Sequence, residues 1–220
     1  IMHESVKKYN DIVNSIKLEL EGQKNIIFPK IIAVSKTFQL ERIIPLIEYG
    51  HLDYGENKVQ EALDKWSDIK KKNSKIKLHL IGGLQTNKVK FALKIFDYIH
   101  SVDSKKLAKK IADEQIKQNK KVKLFIQINI GNEEQKSGVS KIDLIDLFNY
   151  CKDLNLEVVG LMCIPPVDKD PNQYFKEMNL LNHSLGLKEL SMGMSSDFLK
   201  ASMHSATFLR IGSAIFGKRD

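Results

Sequence analysis

The sequence predicts an α/β fold, namely a single closed (β/α)8 barrel of the TIM type with one extra helix before its first strand. Short runs rich in β-branched residues alternate with longer segments in which apolar residues recur with the helical period. Eight such strand-like runs occur along 220 residues without a linker or an internal repeat. A doubly wound sheet is the alternative, but no GxGxxG motif of the dinucleotide-binding kind follows the first run. We therefore expect one barrel domain that spans residues 1–220.

The predicted elements alternate along the whole chain. An amphipathic helix, roughly residues 4–22, comes first. The strand candidates are residues 31–34, 52–54, 77–81, 98–102, 122–130, 158–163, 189–192 and 207–211. The helix candidates are residues 39–49, 58–71, 86–96, 104–118, 141–154, 171–184 and 197–203, several of them opened by Ser, Thr or Asp caps. This alternation indicates βαβ units and a parallel sheet.

The balance of charge is basic, with 35 Lys and Arg against 27 Asp and Glu and a formal net charge of +8. Such an excess attracts any anion, whether a nucleic acid or an anionic metabolite. Many lysines lie in runs at predicted helix ends, such as residues 70–72 and 120–121, which is typical of solvated faces. There is no aromatic-rich strand motif of the RNA-binding kind, and the single tryptophan, Trp66, lies on a predicted helix. We rank an RNA-binding role last and predict no nucleic-acid partner.

Composition and the cysteines indicate the compartment. Hydrophobic residues make up 42% and charged residues 28%, as in a globular protein with a packed core. The longest apolar runs are interrupted and far shorter than the roughly 20 residues that span a bilayer. No signal-peptide pattern precedes the first helix. Cys151 and Cys163 belong to no CxxC motif and have no histidine pair at metal-ligand spacing. We expect a cytoplasmic protein with no membrane partner, no disulfide and no metal.

Lys36 ends the first predicted strand, in residues 33–37 (Ala-Val-Ser-Lys-Thr). Side chains alternate along a strand, so Lys36 shares an apolar face with Ile32 and Val34. Desolvation on such a face lowers the pKa of a lysine and leaves a free amine that can attack an aldehyde. Lys36 is therefore a candidate for Schiff-base chemistry. A side chain that extends from the barrel rim into solvent is the alternative that this segment alone leaves open.

Two segments near the end of the chain combine glycine with hydroxyl residues: 191–195 (Ser-Met-Gly-Met-Ser) and 210–217 (Arg-Ile-Gly-Ser-Ala-Ile-Phe-Gly). They follow the seventh and eighth predicted strands, where barrels of this type bind phosphate with loops and a short helix. Gly212 would admit a phosphate close to the backbone, and Arg210 would add positive charge. Ser195 and Ser213 would add hydroxyl donors. Ordinary strand-to-helix turns with serine caps are the alternative.

Other polar side chains occur at predicted strand ends, which form the functional face of a barrel. Asn57 follows the second strand, His79 lies in the third and Asn129 in the fifth. A single Asn or His in such a place is more often a hydrogen-bonded structural residue, so both interpretations stay open.

The same segments, in the same order, resemble the YggS/PROSC family of pyridoxal-phosphate homeostasis proteins over nearly the whole chain. The resemblance is carried by residues 33–37, 54–57 (Tyr-Gly-Glu-Asn), 79–82 (His-Leu-Ile-Gly), 84–88 (Leu-Gln-Thr-Asn-Lys), 127–129 (Gln-Ile-Asn), 136–138 (Lys-Ser-Gly), 160–162 (Gly-Leu-Met), 191–195 and 210–217. Jointly these motifs are highly specific. The chain departs from the family at Gly83, where Pro is common, and at residues 205–207 (Ser-Ala-Thr), where the family has Gly-Ser-Thr. The stretch between Ile164 and Ser191 is also shorter, which predicts a small helix there.

The resemblance implies an alanine-racemase-like barrel of PLP fold type III without the C-terminal domain of the racemases. It implies that pyridoxal 5'-phosphate (PLP) is held as an internal aldimine on Lys36, with a phosphate cup formed by Ser195 and residues 210–213. The predicted cofactor-binding residues are Lys36, Asn57, His79, Met162, Ser195, Arg210, Gly212 and Ser213. No catalytic residue and no metal ligand is predicted.

The function implied by the resemblance is PLP (vitamin B6) homeostasis without established enzymatic turnover. The alternative is a PLP-dependent amino-acid racemase or decarboxylase. Racemisation needs an acid/base on each face of the substrate α-carbon, and barrel racemases take one of the two from a second domain. Because the sequence ends at Asp220, soon after the eighth strand, we expect the homeostasis role. PLP-dependent apoenzymes are the candidate recipients of the cofactor, and a monomer is expected.

Overall fold

The computed structural model describes residues 2–24 and 27–218 and shows a closed barrel of eight parallel strands in the order β1 to β8. The strands are β1 Lys30–Val34, β2 Asp53–Glu56, β3 Lys77–Leu80, β4 Tyr98–Val102, β5 Lys123–Ile128, β6 Glu157–Cys163, β7 Glu189–Ser191 and β8 Phe208–Ile211. All eight strand candidates are confirmed, with ends that differ by at most two residues. The predicted (β/α)8 barrel is confirmed with them.

Helices separate the strands, as the periodicity indicates. They are α1 Glu4–Leu20, α2 Leu40–Glu48, α3 Val59–Lys72, α4 Val89–Ile95, α5 Lys105–Gln118, α6 Leu144–Asp153, α7 Pro171–Ser184, α8 Phe198–Met203 and α9 Ser213–Phe216. Residues 86–88, predicted as the start of a helix, form a 3₁₀ turn before α4. The short helix α9 was not among the helix candidates, because four residues are too few to show a helical period.

Local caps explain several helix boundaries. The Ser104 side chain accepts a hydrogen bond from the Leu107 N–H at the start of α5, and Asn119 ends that helix in the left-handed region, at φ 47°. Asp170 caps α7 in the same way, and Pro171 occupies its first turn. The helix candidate 171–184 is confirmed by α7, whose 14 residues are more than the small helix that the shorter stretch between Ile164 and Ser191 indicates.

The barrel closes because β1 pairs with both β2 and β8, in a register that aligns Ala33 with Tyr54 and Ile32 with Arg210. The helices cover the outer face of the strands, where most of the apolar core lies. The extra helix α1 packs against α2, α8 and α9 through Val6, Ile12 and Ile16. Within the described residues no helix is both long and apolar enough to cross a membrane.

Candidate functional site

A pocket of about 500 Å³ opens at the carboxyl ends of the strands, the functional face of a barrel. Its walls come from the ends of β1, β5 and β8 and from residues that follow β1, β2, β3, β5, β6, β7 and β8. Six of the eight predicted cofactor residues line it: Lys36, Asn57, Ser195, Arg210, Gly212 and Ser213. The fold therefore brings together residues that lie as far apart as 177 positions in the sequence, from Lys36 to Ser213.

Lys36 enters the pocket from the turn that follows β1. Its side chain is half-buried, and Val34, two residues earlier on the same face, lines the pocket beside it. Ile81 and Ile164 add apolar surface on other walls. The amine is thus presented next to apolar side chains, as the strand alternation predicts.

The opposite part of the pocket is rich in hydroxyl and backbone donors. Ser195 Oγ accepts a hydrogen bond from the Ala214 N–H in the first turn of α9, at 3.3 Å. Its own hydroxyl proton can then donate to a ligand, as can the hydroxyl of Ser213. Gly212 packs so closely on β1 that an added Cβ would lie 3.2 Å from the Val34 carbonyl oxygen. This half of the pocket is suited to an anion, and the other half to a flat apolar body that reacts with an amine.

The rim between β2 and β3 depends on a close approach of two backbones. A Cβ added at Gly82 would lie 2.5 Å from the Asn57 carbonyl oxygen, which real Cβ atoms do not tolerate. Glycine at position 82 is therefore what allows Asn57 to stand at the edge of the pocket.

Arg210 lies within β8 rather than after it, and its guanidinium is buried beneath the pocket. Nη1 donates to Ser191 Oγ at 2.7 Å, and Nη2 donates to the Cys163 carbonyl oxygen at 2.8 Å. The side chain supplies positive charge to the floor of the pocket. A direct contact between Arg210 and a phosphate stays a prediction.

His79 and Met162 are absent from the described pocket lining and lie one layer deeper in the barrel. The deeper layer contains Ile32, Phe125, Met162 and Phe208, and the His79 ring lies 5.4 Å from that of Phe208. On each of these strands the residue two positions later lines the pocket instead: Val34, Ile81, Gln127, Ile164 and Arg210. His79 and Met162 each lie two residues before the pocket-lining residue of their strand. Their placement therefore does not support direct contacts with a cofactor.

His79 belongs to a hydrogen-bonded chain through the barrel interior. His79 Nε2 lies 2.8 Å from Asp53 Oδ1, and His79 Nδ1 lies 2.9 Å from His100 Nε2. His100 Nδ1 lies 2.8 Å from Ser191 Oγ, the atom that accepts the Arg210 hydrogen bond. The chain joins a partly exposed carboxylate at the amino-terminal end of β2 to the floor of the pocket.

The acceptor at one end determines every proton position in this chain. The His79 ring helps to lower the pKa of Asp53, and a carboxylate can only accept, so His79 carries its proton on Nε2 and donates to Asp53. The bare Nδ1 of a neutral His79 then accepts from His100 Nε2–H. The bare His100 Nδ1 accepts from the Ser191 hydroxyl, whose oxygen accepts from Arg210. Burial lowers the pKa of His79, and burial together with His79 and Arg210 holds the pKa of His100 well below its usual range.

We expect both imidazoles to be neutral Nε2–H tautomers at pH 6.5, where about half of an unperturbed imidazole is protonated. Long-range ¹H–¹⁵N correlation spectra of histidine-labelled protein report each nitrogen directly. The exposed histidine His183 provides a solvent-facing ring for comparison in the same spectra. A protonated Nδ1 on either buried ring would contradict the hydrogen-bond chain.

Sequence reasoning missed several residues that line the pocket. They are Val34, Ile81, Gly82, Gly83, Gln127, Ser137, Ile164, Met194 and Ser196. The Gly82-Gly83 pair after β3 is a turn signal that points to this loop, whereas the apolar residues give no signal of their own. Asn129, considered as a strand-end polar residue, instead closes a loop by bonding the backbone of Glu133.

The chain is similar to known proteins in family, sequence and fold. The family described as "Alanine racemase, N-terminal domain" matches residues 20–220. A relative from Aquifex aeolicus named "Pyridoxal phosphate homeostasis protein" is 40% identical over 200 residues, which cover 86% of this chain and 87% of the relative. These matches extend over most of both chains.

Solved structures give the same result. PipY of Synechococcus elongatus with PLP bound is 30% identical, with a TM-score of 0.79 over 93% of this chain and 100% of PipY. The structure of PipY without PLP has a TM-score of 0.87 and covers 98% of this chain. An alanine racemase from Clostridium difficile is 15% identical with a TM-score of 0.71, and this chain covers 57% of it. The last likeness shows a shared fold alone.

Proposed function

The chain belongs to the family of pyridoxal phosphate homeostasis proteins, with the fold of the alanine racemase N-terminal domain, and from this premise we propose that it binds PLP in the pocket at the strand ends. One observation carries the proposal: Lys36 and the donor-rich segment of Ser195, Gly212 and Ser213 line the same pocket of about 500 Å³. PipY, a relative 30% identical to this chain, has been solved with PLP bound.

The residues of one half of the pocket suit the aldehyde and the ring of this cofactor. PLP supplies an aldehyde that condenses with a primary amine, a planar ring and a phosphate dianion. Lys36 Nζ provides the amine beside Val34. Ile81 and Ile164 exclude water from the faces of a planar ring. This arrangement supports covalent attachment at Lys36.

The phosphate is proposed to lie against α9. The Ser195 and Ser213 hydroxyls donate there, and the absence of a side chain at Gly212 lets the backbone come close. Arg210 adds a buried positive charge at the floor, and its orientation is held by Ser191 and the Cys163 carbonyl oxygen. The chain of His100, His79 and Asp53 therefore acts on the cofactor pocket through Arg210.

Absorbance and borohydride reduction test covalent attachment. We expect the purified protein with PLP to absorb visible light and to lose that band on reduction, with the label mapped to the peptide that contains Lys36. An unlabelled Lys36 together with a labelled second lysine would refute the assignment, and the absence of any PLP binding would refute the function.

We further propose that the chain holds PLP rather than turning over amino acids. Among the described residues of the pocket lining, Lys36 and Arg210 are the ionisable ones, and arginine does not release a proton at physiological pH. One proton acceptor serves one face of a substrate α-carbon, whereas racemisation needs two. PLP-dependent apoenzymes in the cytoplasm are the proposed recipients.

Racemase and decarboxylase assays of the PLP-loaded chain are expected to read near background for a panel of amino acids. The expected kcat is at least about a thousandfold below the roughly 10 per second typical of enzymes. An alanine racemase assayed in parallel shows that the conditions support turnover. A rate near the typical value, lost in Lys36→Ala, would favour the alternative of a racemase or decarboxylase.

A further inference from the structure

The turn that carries Lys36 has an unusual backbone. Thr37, the next residue, has φ 66°, in the left-handed region. A β-branched side chain is disfavoured in that region, and such a conformation persists only where surrounding contacts impose it. Thr37 directly follows the lysine of the pocket, so the contacts that hold its backbone also hold the turn that carries Lys36.

Those contacts come from one face of helix α3. The Thr37 N–H donates to Glu61 Oε1 at 2.6 Å. Four residues later on the helix, Lys65 Nζ donates to the same Glu61 oxygen at 3.0 Å and to the Ser35 carbonyl oxygen at 2.8 Å. The residues on both sides of Lys36 are thus bound to a single pair of side chains at i and i+4.

A buried carboxyl group anchors this pair to the barrel. Glu56 Oε1 accepts hydrogen bonds from Ser35 Oγ at 2.8 Å, Lys65 Nζ at 2.9 Å and Trp66 Nε1 at 2.8 Å. Glu56 has no exposed surface, and the side chain of Lys65 is 10% exposed. Lys65 therefore joins the buried Ser35 and Glu56 to the partly exposed Glu61, and charge-assisted hydrogen bonds are strong at the buried end of this cluster.

The two carboxyl groups respond differently to the cluster. Burial opposes ionisation of Glu61, but the Thr37 N–H and the Lys65 ammonium outweigh it and lower the pKa of that carboxyl. Burial raises the pKa of Glu56 against the effect of Trp66 and Lys65. Glu61 is thus the group that stays charged to hold the Thr37 N–H.

We propose that Glu61 and Lys65 are positioning residues that clamp the turn at residues 35–37 and so direct Lys36 into the pocket. Neither side chain lines that pocket, since both face a separate surface cavity between α3 and the turn. They act through the backbone on either side of Lys36. The inference rests on the proposed attachment of PLP at Lys36.

The decisive experiment is a cycle of variants with and without the lysine. Glu61→Ala is expected to weaken borohydride-reducible attachment of PLP about tenfold, the size of one lost charge-assisted hydrogen bond. In a Lys36→Ala background the same change is expected to leave non-covalent PLP affinity within about twofold, because the clamp acts on the lysine alone. An equal loss in both backgrounds would show a general structural role and overturn the proposal.

Rescue by glycine tests the strained residue itself. Glycine adopts a φ near +66° without steric penalty, so Thr37→Gly is expected to restore attachment in Glu61→Ala to within about threefold of the starting protein. Asp64→Ala is the matched control, since it removes an exposed carboxylate of α3 that makes its hydrogen bond to Gln60. Glu61→Gln keeps an oxygen acceptor, so its attachment of PLP is expected to lie between that of Glu61→Ala and that of Asp64→Ala. This variant preserves the test if Glu61→Ala is poorly folded.

A measurement without PLP separates this inference from the proposed function. Hydrogen exchange of the Thr37 amide in the cofactor-free protein is expected to accelerate about tenfold in Glu61→Ala and to remain unchanged in Asp64→Ala. If the starting protein binds no PLP, the proposed function fails whatever the exchange rate. If it binds PLP through Lys36 but Glu61→Ala changes neither exchange nor attachment, the clamp is refuted alone.

Discussion

Replacing Lys36 with alanine is expected to remove all PLP that borohydride can fix to the protein, together with its visible absorption band. Lys36 lines the pocket beside Val34, and no substitute amine of the pocket lining is present among the described residues. The loss is therefore expected to be complete rather than graded. Absorbance spectra and mass spectrometry of the reduced protein measure it directly.

Lys58→Ala is the control for this variant. Lys58 is exposed and directly follows Asn57. Its replacement therefore removes a lysine close to the pocket without changing the pocket lining. It is expected to retain the full covalent label. A comparable amount of label on Lys36→Ala would show that another lysine carries the cofactor.

The second large effect is expected from Gly212→Val in the Lys36→Ala background. Lys36→Ala alone should keep non-covalent affinity for PLP and bind unphosphorylated pyridoxal poorly, because the proposed phosphate donors at Ser195, Gly212 and Ser213 still line the pocket. A valine at position 212 would press on the Val34 carbonyl oxygen at 3.2 Å and keep the phosphate away from the backbone. Losing two charge-assisted hydrogen bonds of roughly 1.5 to 3 kcal/mol each weakens binding about a hundredfold or more.

Calorimetric titration with PLP and with pyridoxal measures both the affinity and the preference. Gly83→Val is the matched control, since it adds the same side chain to another glycine of the pocket lining, where a Cβ would meet nothing within 4 Å. Gly83→Val is expected to reduce the affinity for PLP much less than Gly212→Val does. Circular dichroism checks that both variants are folded. Equal affinity of Lys36→Ala for PLP and pyridoxal would refute the phosphate site.

The strands and most helices could be predicted because their signals are local. The run at residues 31–34 is β-branched and apolar, and α5 has both a serine cap and an asparagine at its carboxyl end. Helix α9 escaped prediction, and residues 86–88 were predicted as α-helix rather than as a 3₁₀ turn, since elements of three or four residues show no period of their own. The bounds of α7 agree with the helix candidate 171–184, because the Asp170 cap and Pro171 mark its start locally.

Part of the site was predictable for a related reason. Lys36 and Gly212 follow strands, and in a barrel all strand ends of one polarity meet on one face. Ser195 and Ser213 were found by the same rule. Position along the chain was sufficient for these residues because each lies beyond the strand, where the loops converge.

By itself the sequence determined the barrel and placed Lys36 and the glycine-serine segments at its strand ends, because strand period, caps and turn residues act over a few neighbouring positions. Only the tertiary structure decided which inward-facing layer reaches the pocket. His79 and Met162 lie two residues before Ile81 and Ile164 on their strands, and the register between strands sets their depth. That register comes from the closure of β1 on β8, a contact between residues about 180 positions apart, which no local pattern encodes.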